Sequence, residues 1–400
     1  MTRVAVIGCG DAGLSAAFAA VKQGAKVTVI SDERVYYPRC PLPYYIGGKI
    51  KRKDLVAPLE AIFKGSRVKV VFDRALEIKD GTVICEKGEV PFDKAIIATG
   101  GRPKRIGNSL TLRTMADADE IKRRAKTEKP VIIGGGMLGC ELADVLGGRI
   151  IEVQDRILPN FDPEFSAIIE RLLRKRADIK TGTTKIPESG FMISAIGVIP
   201  ESGLAERSGI ETSEFGIKVD NRLETSMPDV YAAGDCIEEK CFFTKKSMHS
   251  YLGPQAERQG VIAGTNAAGG DMRYEGSLNA VVAKICGCEI GVAGMCGADA
   301  KKRGIETTWG VARTKTKPEY DKTAEDLMIK MHFSGERLVG CQAIGGEAVD
   351  GIINLASYAM RHGATVDDLI NMTYCFSPPV CSAPNPIISC AENAKRRMRR

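Results

Sequence analysis

Two stretches of the chain repeat the same order of hydrophobic and polar positions. Each begins with a short β-branched apolar run, Val4–Ile7 in the first stretch and Val131–Ile133 in the second. A glycine-rich turn follows, then a helix of small and apolar residues, then a second apolar strand that ends at an acidic residue. Apolar runs of this length between turn signals are typical of buried parallel strands. The pattern therefore predicts two β-α-β units.

The first glycine turn is expected to bind the pyrophosphate of a dinucleotide. Glycines at these positions allow a tight turn and bring the phosphates close to the N-terminus of the following helix. An acid about 20 residues further on, placed to accept hydrogen bonds from ribose hydroxyls, completes the pattern. The predicted residues are Gly8, Gly10, Asp11, Ala12 and Gly13 in the turn, with Asp32 or Glu33 as the acid.

The second turn predicts a site for nicotinamide dinucleotide at Gly134, Gly136 and Gly139, with Glu152 as the acid. Glu152 favours NADH, because a carboxylate there would repel a 2′-phosphate. Arg149 and Arg156 lie close enough in sequence to keep NADPH open. The unit is also short, which leaves open a different electron donor.

Composition narrows the class of protein. The chain has 400 residues, a formal charge of +7 and thirteen cysteines. Without a signal segment or an apolar run of roughly 18 residues, we expect a cytoplasmic protein with no membrane contact, in which cysteines are thiols. Aromatic and basic residues do not interleave, so no nucleic-acid partner is expected. Three scattered histidines and the cysteine spacing predict no metal site.

Cys40 is the predicted redox-active residue. It lies in a Pro-Arg-Cys-Pro-Leu-Pro run, and the fifth position after it is Tyr45, not the second cysteine that an internal disulfide would need. A sulfur in this setting would have to pair with a species that comes and goes: a small thiol, a persulfide or an oxygen atom.

Two further segments carry a family resemblance. Lys94–Pro103 is an apolar strand entering a glycine turn with Thr99 and Gly100, and Pro228–Cys236 is a strand ending at Gly234 and Asp235. The chain thereby resembles the FAD-dependent pyridine nucleotide–disulfide oxidoreductases, and the Cys40 run resembles their single-cysteine branch. The resemblance implies that Asp235 holds the flavin ribitol, and we add Arg39 to the predicted flavin site.

The resemblance also implies the fold class and the domains. We expect an α/β protein with two Rossmann-like, three-layer ββα nucleotide-binding domains and a C-terminal α+β dimerisation domain. The predicted boundaries are 1–114 with 225–275 for FAD, 115–224 for NAD(P)H, and 276–400 for dimerisation. In the family, a C-terminal Tyr-Ala-Pro-Pro segment closes the partner's site in a homodimer. Here Phe376 replaces the tyrosine, Tyr374 is a substitute, and Cys381 could receive electrons by thiol exchange, with core packing as the alternative for that cysteine.

The predicted activity is FAD-dependent reduction of a low-molecular-weight disulfide or persulfide, similar to coenzyme A disulfide, by NADH or NADPH through Cys40. Two alternatives remain open. One is an NADH oxidase or peroxidase in which Cys40 cycles through sulfenic acid. The other is a flavin electron-transfer subunit supplied by a protein partner.

Overall fold

The computed structural model describes residues 1–399, which form two compact units. The first unit contains Met1–Lys126 and Ile196–Ser277, and the second contains Thr127–Ala195 and Leu278–Arg400. The predicted fold class is confirmed: parallel-sheet nucleotide-binding regions precede an antiparallel C-terminal region. The finer three-domain boundaries stay a prediction.

A parallel five-stranded sheet forms the centre of the first unit. Its strands lie in the order Val230–Ala232, Lys94–Ile97, Arg3–Ile7, Lys26–Ser31 and Val68–Phe72. Their apolar residues are almost fully buried, as expected for strands covered on both faces. An antiparallel three-stranded sheet follows, with strands Ala75–Lys79, Thr82–Cys85 and Glu89–Pro91.

Short elements complete the first unit. Its remaining strands are Val35–Tyr36 with Ala57–Pro58, Gly101–Pro103 with Val198–Pro200, Thr212–Ser213 with Gly216–Ile217, Glu239–Lys240 with Ser247–Met248, and Leu110–Thr111. Its helices are Asp11–Lys22, Leu42–Ile46, Arg52–Leu55, Leu59–Ile62, Met115–Arg124, Gly203–Arg207 and Gly253–Ala267.

Two helices of the first unit, Asp11–Lys22 and Gly253–Ala267, pack at very short distance. A Cβ atom on Gly260 would lie 2.1 Å from the carbonyl oxygen of Ala12, and one on Gly264 would lie 2.2 Å from that of Ala16. Only glycine fits at these two positions. The close contact fixes the start of the first helix, and with it the glycine turn that precedes it.

The second unit contains the second β-α-β repeat and the C-terminal region. Parallel strands lie in the order Met192–Ser194, Val131–Ile133, Gly148–Ile151 and Ala177–Lys180, with helices Met137–Leu146 and Pro163–Leu173. The antiparallel sheet has the order Val281–Ile285, Cys288–Gly294, Arg337–Gly345, Asp326–Ser334 and Thr308–Lys315. Its helices are Gly297–Lys302, Val349–Arg361, Val366–Ile370 and Pro386–Met398.

Within residues 1–399, no helix combines the length and the apolar character that crossing a membrane requires.

Candidate active site

The predicted flavin residues surround one cavity in the first unit, with a volume of about 290 Å³. Residues from all of the predicted flavin motifs line this cavity, although the motifs are far apart in sequence. They are Gly8, Gly10, Asp11, Ala12, Asp32, Glu33, Arg39, Cys40, Thr99, Gly100, Gly234 and Asp235. Gly13 lies beneath the turn and does not line the cavity. The parallel sheet explains the convergence, because the carboxyl ends of its strands meet at one edge.

The glycines of the first turn fall into two groups, those that protein packing requires and one that leaves open space. Gly8 has φ +94°, and a Cβ there would lie 2.3 Å from the carbonyl oxygen of Ala98. A Cβ on Gly13 would lie 2.1 Å from the carbonyl oxygen of Gly8. Gly10 has an ordinary φ of −79°, and a Cβ there would meet no protein atom within 4 Å. Packing therefore requires Gly8 and Gly13, whereas at Gly10 the open space fits a bound ligand.

Arg39 forms an ion pair with Glu33, which follows strand Lys26–Ser31. The guanidinium of Arg39 donates to Glu33 at 2.9 Å and lies 4.1 Å above the ring of Tyr37. Its Nη1 is buried and, among the described residues, has no hydrogen-bond partner. Burying such a group unsatisfied is costly, so an acceptor from a ligand is expected here. Asp32, next in sequence to Glu33, is exposed and also faces the cavity.

Cys40 presents its sulfur beside the start of a long helix. A Cβ added to Gly253, the first residue of helix Gly253–Ala267, would lie 3.8 Å from the Sγ of Cys40 and 3.2 Å from Oδ2 of Asp11, so both side chains lie close to the start of this helix. The N-terminus of a helix carries partial positive charge and favours an anion such as a thiolate. Asp11 opposes this effect, although its Oδ1 is occupied by the hydroxyl of Tyr36 at 2.7 Å. Burial, and then the hydrogen bond to Asp11, raise the pKa of Tyr36, so this hydroxyl stays protonated.

Asp235 is placed by the strand Val230–Ala232 and faces the same cavity. Burial raises the pKa of its carboxyl, and the Arg113 guanidinium, 3.2 Å away, opposes that shift. The neighbouring Gly234 donates its N–H to Gln259 Oε1 at 2.8 Å, which anchors the turn to helix Gly253–Ala267. Thr99 donates its hydroxyl to the carbonyl of Glu201 at 2.7 Å.

The second glycine turn reproduces the geometry of the first. Gly134 has φ +107°, and a Cβ on Gly139 would lie 2.0 Å from its carbonyl oxygen. Gly136, like Gly10, has open space where a Cβ would be. Glu152 is buried and accepts from the N–H of Gly135 at 2.6 Å and that of Gln154 at 2.7 Å. The structure thus brings the turn with its three predicted glycines together with Glu152, which follows strand Gly148–Ile151.

In the second β-α-β repeat, the connection between the helix and the second strand is very short. Gly147 and Gly148 have φ +69° and +88°, a left-handed conformation that favours glycine. They turn the chain directly from helix Met137–Leu146 into the strand Gly148–Ile151.

The C-terminal candidates lie in an exposed segment of the second unit. Tyr374 and Phe376 are 40% and 49% exposed, and Val380 is 70% exposed. Cys381 is partly exposed. Three neighbouring apolar side chains at the surface are consistent with a surface that another molecule covers.

The predicted motifs do not include two residues of the cavity, Arg113 and Tyr251, or Tyr36, whose hydroxyl donates to Asp11 beside that cavity. Arg113 and Tyr251 line it, and burial, with a contribution from Asp235, raises the pKa of Tyr251 to about 12. None of them belongs to a glycine motif.

Comparison with known proteins agrees with this geometry. The family described as "Pyridine nucleotide-disulphide oxidoreductase" matches residues 2–186 and 179–260, and its dimerisation domain matches residues 281–386. The chain belongs to this family of flavin- and pyridine-nucleotide-dependent oxidoreductases.

Individual relatives are similar over almost their whole length. An NADH oxidase of Methanocaldococcus jannaschii is 29% identical, with 99% of each chain covered. An NAD(P)H coenzyme A polysulfide/persulfide reductase of Pyrococcus horikoshii is 27% identical, with 98% of each covered. The solved structure of an NAD-dependent persulfide reductase from A. fulgidus has a TM-score of 0.93 at 29% identity, covering 99% of this chain and 83% of that one.

The alignment with the M. jannaschii protein extends over 445 positions, more than the 400 residues of this chain. That relative therefore carries segments that this chain lacks.

FAD and NAD(P)H are the cofactors of this family, and the residues present fit both. The open space at Gly10 and the unpartnered Nη1 of Arg39 suit the phosphates and ribose of FAD. The open space at Gly136 suits a second dinucleotide. The dimerisation-domain match supports a homodimer.

Proposed function

We propose that the protein reduces a low-molecular-weight disulfide or persulfide, of the coenzyme A disulfide class, with electrons from NADH or NADPH through Cys40. The observation that carries this proposal is the position of the Cys40 sulfur. It faces the cavity that fits FAD and lies beside the positive end of helix Gly253–Ala267. The names of the relatives agree with this substrate class.

Bound FAD would take a hydride from NAD(P)H and supply two electrons to a disulfide bond at Cys40. The chain's own residues prepare that chemistry. The helix N-terminus favours the Cys40 thiolate, which is the form that attacks a disulfide or persulfide sulfur. Pro41 and Pro43 fix φ on the C-terminal side of the cysteine and so restrict the backbone beside the sulfur. Arg39 and Glu33 hold the nucleotide end of the cavity.

Glu152 is proposed to select NADH over NADPH. Its carboxylate is buried at the end of its strand and is held by two backbone N–H groups. A 2′-phosphate there would meet a negative charge. Arg149 does not compensate, because it pairs with Asp178 at 2.7 Å.

We further propose that the chain acts in the cytoplasm as a homodimer. The segment with Tyr374, Phe376 and Cys381 would complete the partner's site. Its exposed apolar side chains support this arrangement.

The test compares Cys40→Ser with wild type as FAD-loaded enzyme. We expect the variant to accept hydride from NADH anaerobically, seen as flavin bleaching, but to lose at least about 100-fold in turnover with coenzyme A disulfide or polysulfide, as expected for loss of a nucleophile. Cys286→Ser, at a turn in the second unit outside the cavity, is the matched control and should keep wild-type rates. Full turnover by Cys40→Ser would refute the role of this sulfur.

An NADH oxidase activity is the second candidate, because the M. jannaschii relative carries that name. The same two variants, assayed with oxygen or peroxide as the sole acceptor, separate the two activities. Faster NADH consumption with oxygen than with any disulfide, and its loss in Cys40→Ser, would favour the oxidase. A flavin that NADH does not bleach would instead favour the protein-fed electron-transfer subunit.

A further inference from the structure

The thirteen cysteines differ sharply in their surroundings. Burial raises the pKa of nine of them, which therefore stay thiols near neutral pH: Cys9, Cys85, Cys140, Cys236, Cys286, Cys288, Cys296, Cys341 and Cys390. Of the other four, Cys241 is buried and Cys40 belongs to the flavin cavity. Cys375, which is exposed, and Cys381, which is partly exposed, remain.

A tight turn brings Cys375 and Cys381 together. The carbonyl of Ser377 accepts from the N–H of Val380 at 2.9 Å and from the N–H of Cys381 at 3.0 Å, so the chain folds back on itself. As a result, the Sγ of Cys381 lies 3.6 Å from the carbonyl oxygen of Cys375.

This contact places the Cys381 sulfur next to the backbone of Cys375. The Cys375 side chain leaves the Cα atom bonded to the carbonyl that Cys381 already contacts. Because Cys375 is exposed, its side chain can rotate towards Cys381 without displacing core atoms. The loop to be closed is short, so little chain entropy opposes closure.

We propose that Cys375 and Cys381 form a reversible dithiol–disulfide centre, a second site at which this protein exchanges electrons with low-molecular-weight disulfides. The substrate class rests on the proposed function, but the site itself does not involve Cys40.

The exchange is balanced in two steps. One thiolate of the pair attacks the external disulfide, forms a mixed disulfide and releases one thiolate of the substrate. The second cysteine then attacks the protein sulfur of the mixed disulfide and releases the other substrate thiol. The pair loses two electrons and two protons to become a disulfide, and the substrate gains them as two thiols. The reverse reaction, with two external thiols, restores the pair.

Coenzyme A disulfide and coenzyme A are the probes, and full-length Cys40→Ser protein is the background. After exposure to the disulfide, the protein is unfolded, alkylated and digested with trypsin. The mass of peptide 362–395 is then measured by mass spectrometry. We expect this peptide to lose two hydrogens through a Cys375–Cys381 bond, and to regain them with excess coenzyme A. The buried Cys390 in the same peptide should carry no coenzyme A, which reports that the native fold was intact during exposure.

Single substitutions provide the decisive comparison. In Cys375→Ser, a coenzyme A adduct should remain on Cys381, because no second thiol is present to displace it, and Cys381→Ser should retain the adduct on Cys375. The proposal would be overturned if Cys375 and Cys381 both remained thiols after exposure, or if both carried coenzyme A adducts and no Cys375–Cys381 disulfide formed. Because the background lacks Cys40, either result leaves the proposed function untouched, and failure of that function would not affect the pair.

Discussion

Gly136→Ala tests whether the short second unit binds nicotinamide dinucleotide. The added Cβ would meet no protein atom within 4 Å, and φ is −71°, so the native backbone accepts alanine. Gly136 is the N-cap of helix Met137–Leu146, where alanine costs about 1 kcal/mol or less relative to glycine. The variant should therefore fold almost as stably as wild type.

Its effect on NADH should be much larger. The methyl group would occupy the space through which a phosphate approaches the backbone. Losing one charge-assisted hydrogen bond costs about 2 kcal/mol, which corresponds to about a 30-fold weaker Kd. The assay is anaerobic flavin bleaching by stopped flow as a function of NADH concentration, with thermal unfolding measured in parallel.

Two alanine variants serve as controls. Gly10→Ala should weaken FAD retention by a similar factor, because its Cβ also enters open space. Gly139→Ala should instead destabilise the fold, because its Cβ would lie 2.0 Å from the carbonyl oxygen of Gly134. A stable Gly136→Ala protein with wild-type NADH affinity would refute nicotinamide binding at this turn.

Three further predictions follow from other parts of the chain. Gly264→Ala should lower the free energy of unfolding by about 2–3 kcal/mol, because the added methyl group forces two helices apart. The control Gly351→Ala lies at an exposed helix position with open space around it and should raise the free energy of unfolding by about 0.5–1 kcal/mol. Chemical denaturation measures both values, and equal effects would contradict the close helix packing at Gly264. Arg39→Met should weaken FAD binding about 10- to 100-fold in a fluorescence titration, with the exposed Arg102→Met as control, and an unchanged Kd would show that Nη1 has no ligand. Burial alone would raise the pKa of Asp162, but hydrogen bonds from His332 and Lys330 outweigh it and hold that pKa well below its usual range. This contribution to stability is present above the unfolded pKa near 4 and is lost as pH falls towards the folded value. Asp162→Asn should thus cost about 3 kcal/mol at pH 7, with a smaller difference from wild type at pH 2, and a pH-independent difference would contradict the assignment.

Local sequence patterns predicted the repeated elements well. Both glycine turns and their acids could be placed because each lies within a strand–turn–helix pattern whose spacing is fixed by the fold. Thr99 and Asp235 are instead placed through the resemblance to the family.

Contacts between distant segments could not be predicted in the same way. Arg113 reaches Asp235 across 122 positions of sequence, and Gly253 lies beside Cys40 although the two are far apart in the chain. The turn that brings Cys381 back to Cys375 depends on hydrogen bonds to one carbonyl, which no residue pattern specifies.

The sulfur that carries the substrate during turnover can be identified directly. Oxidised, FAD-loaded enzyme is treated with coenzyme A disulfide, its free thiols are blocked by alkylation so that mixed disulfides do not rearrange, and it is then digested with trypsin. We expect a coenzyme A adduct on peptide 40–49, attached through Cys40, that disappears when NADH is added before digestion. An enzyme that turns over coenzyme A disulfide while this peptide never carries the adduct would contradict the proposed role of Cys40.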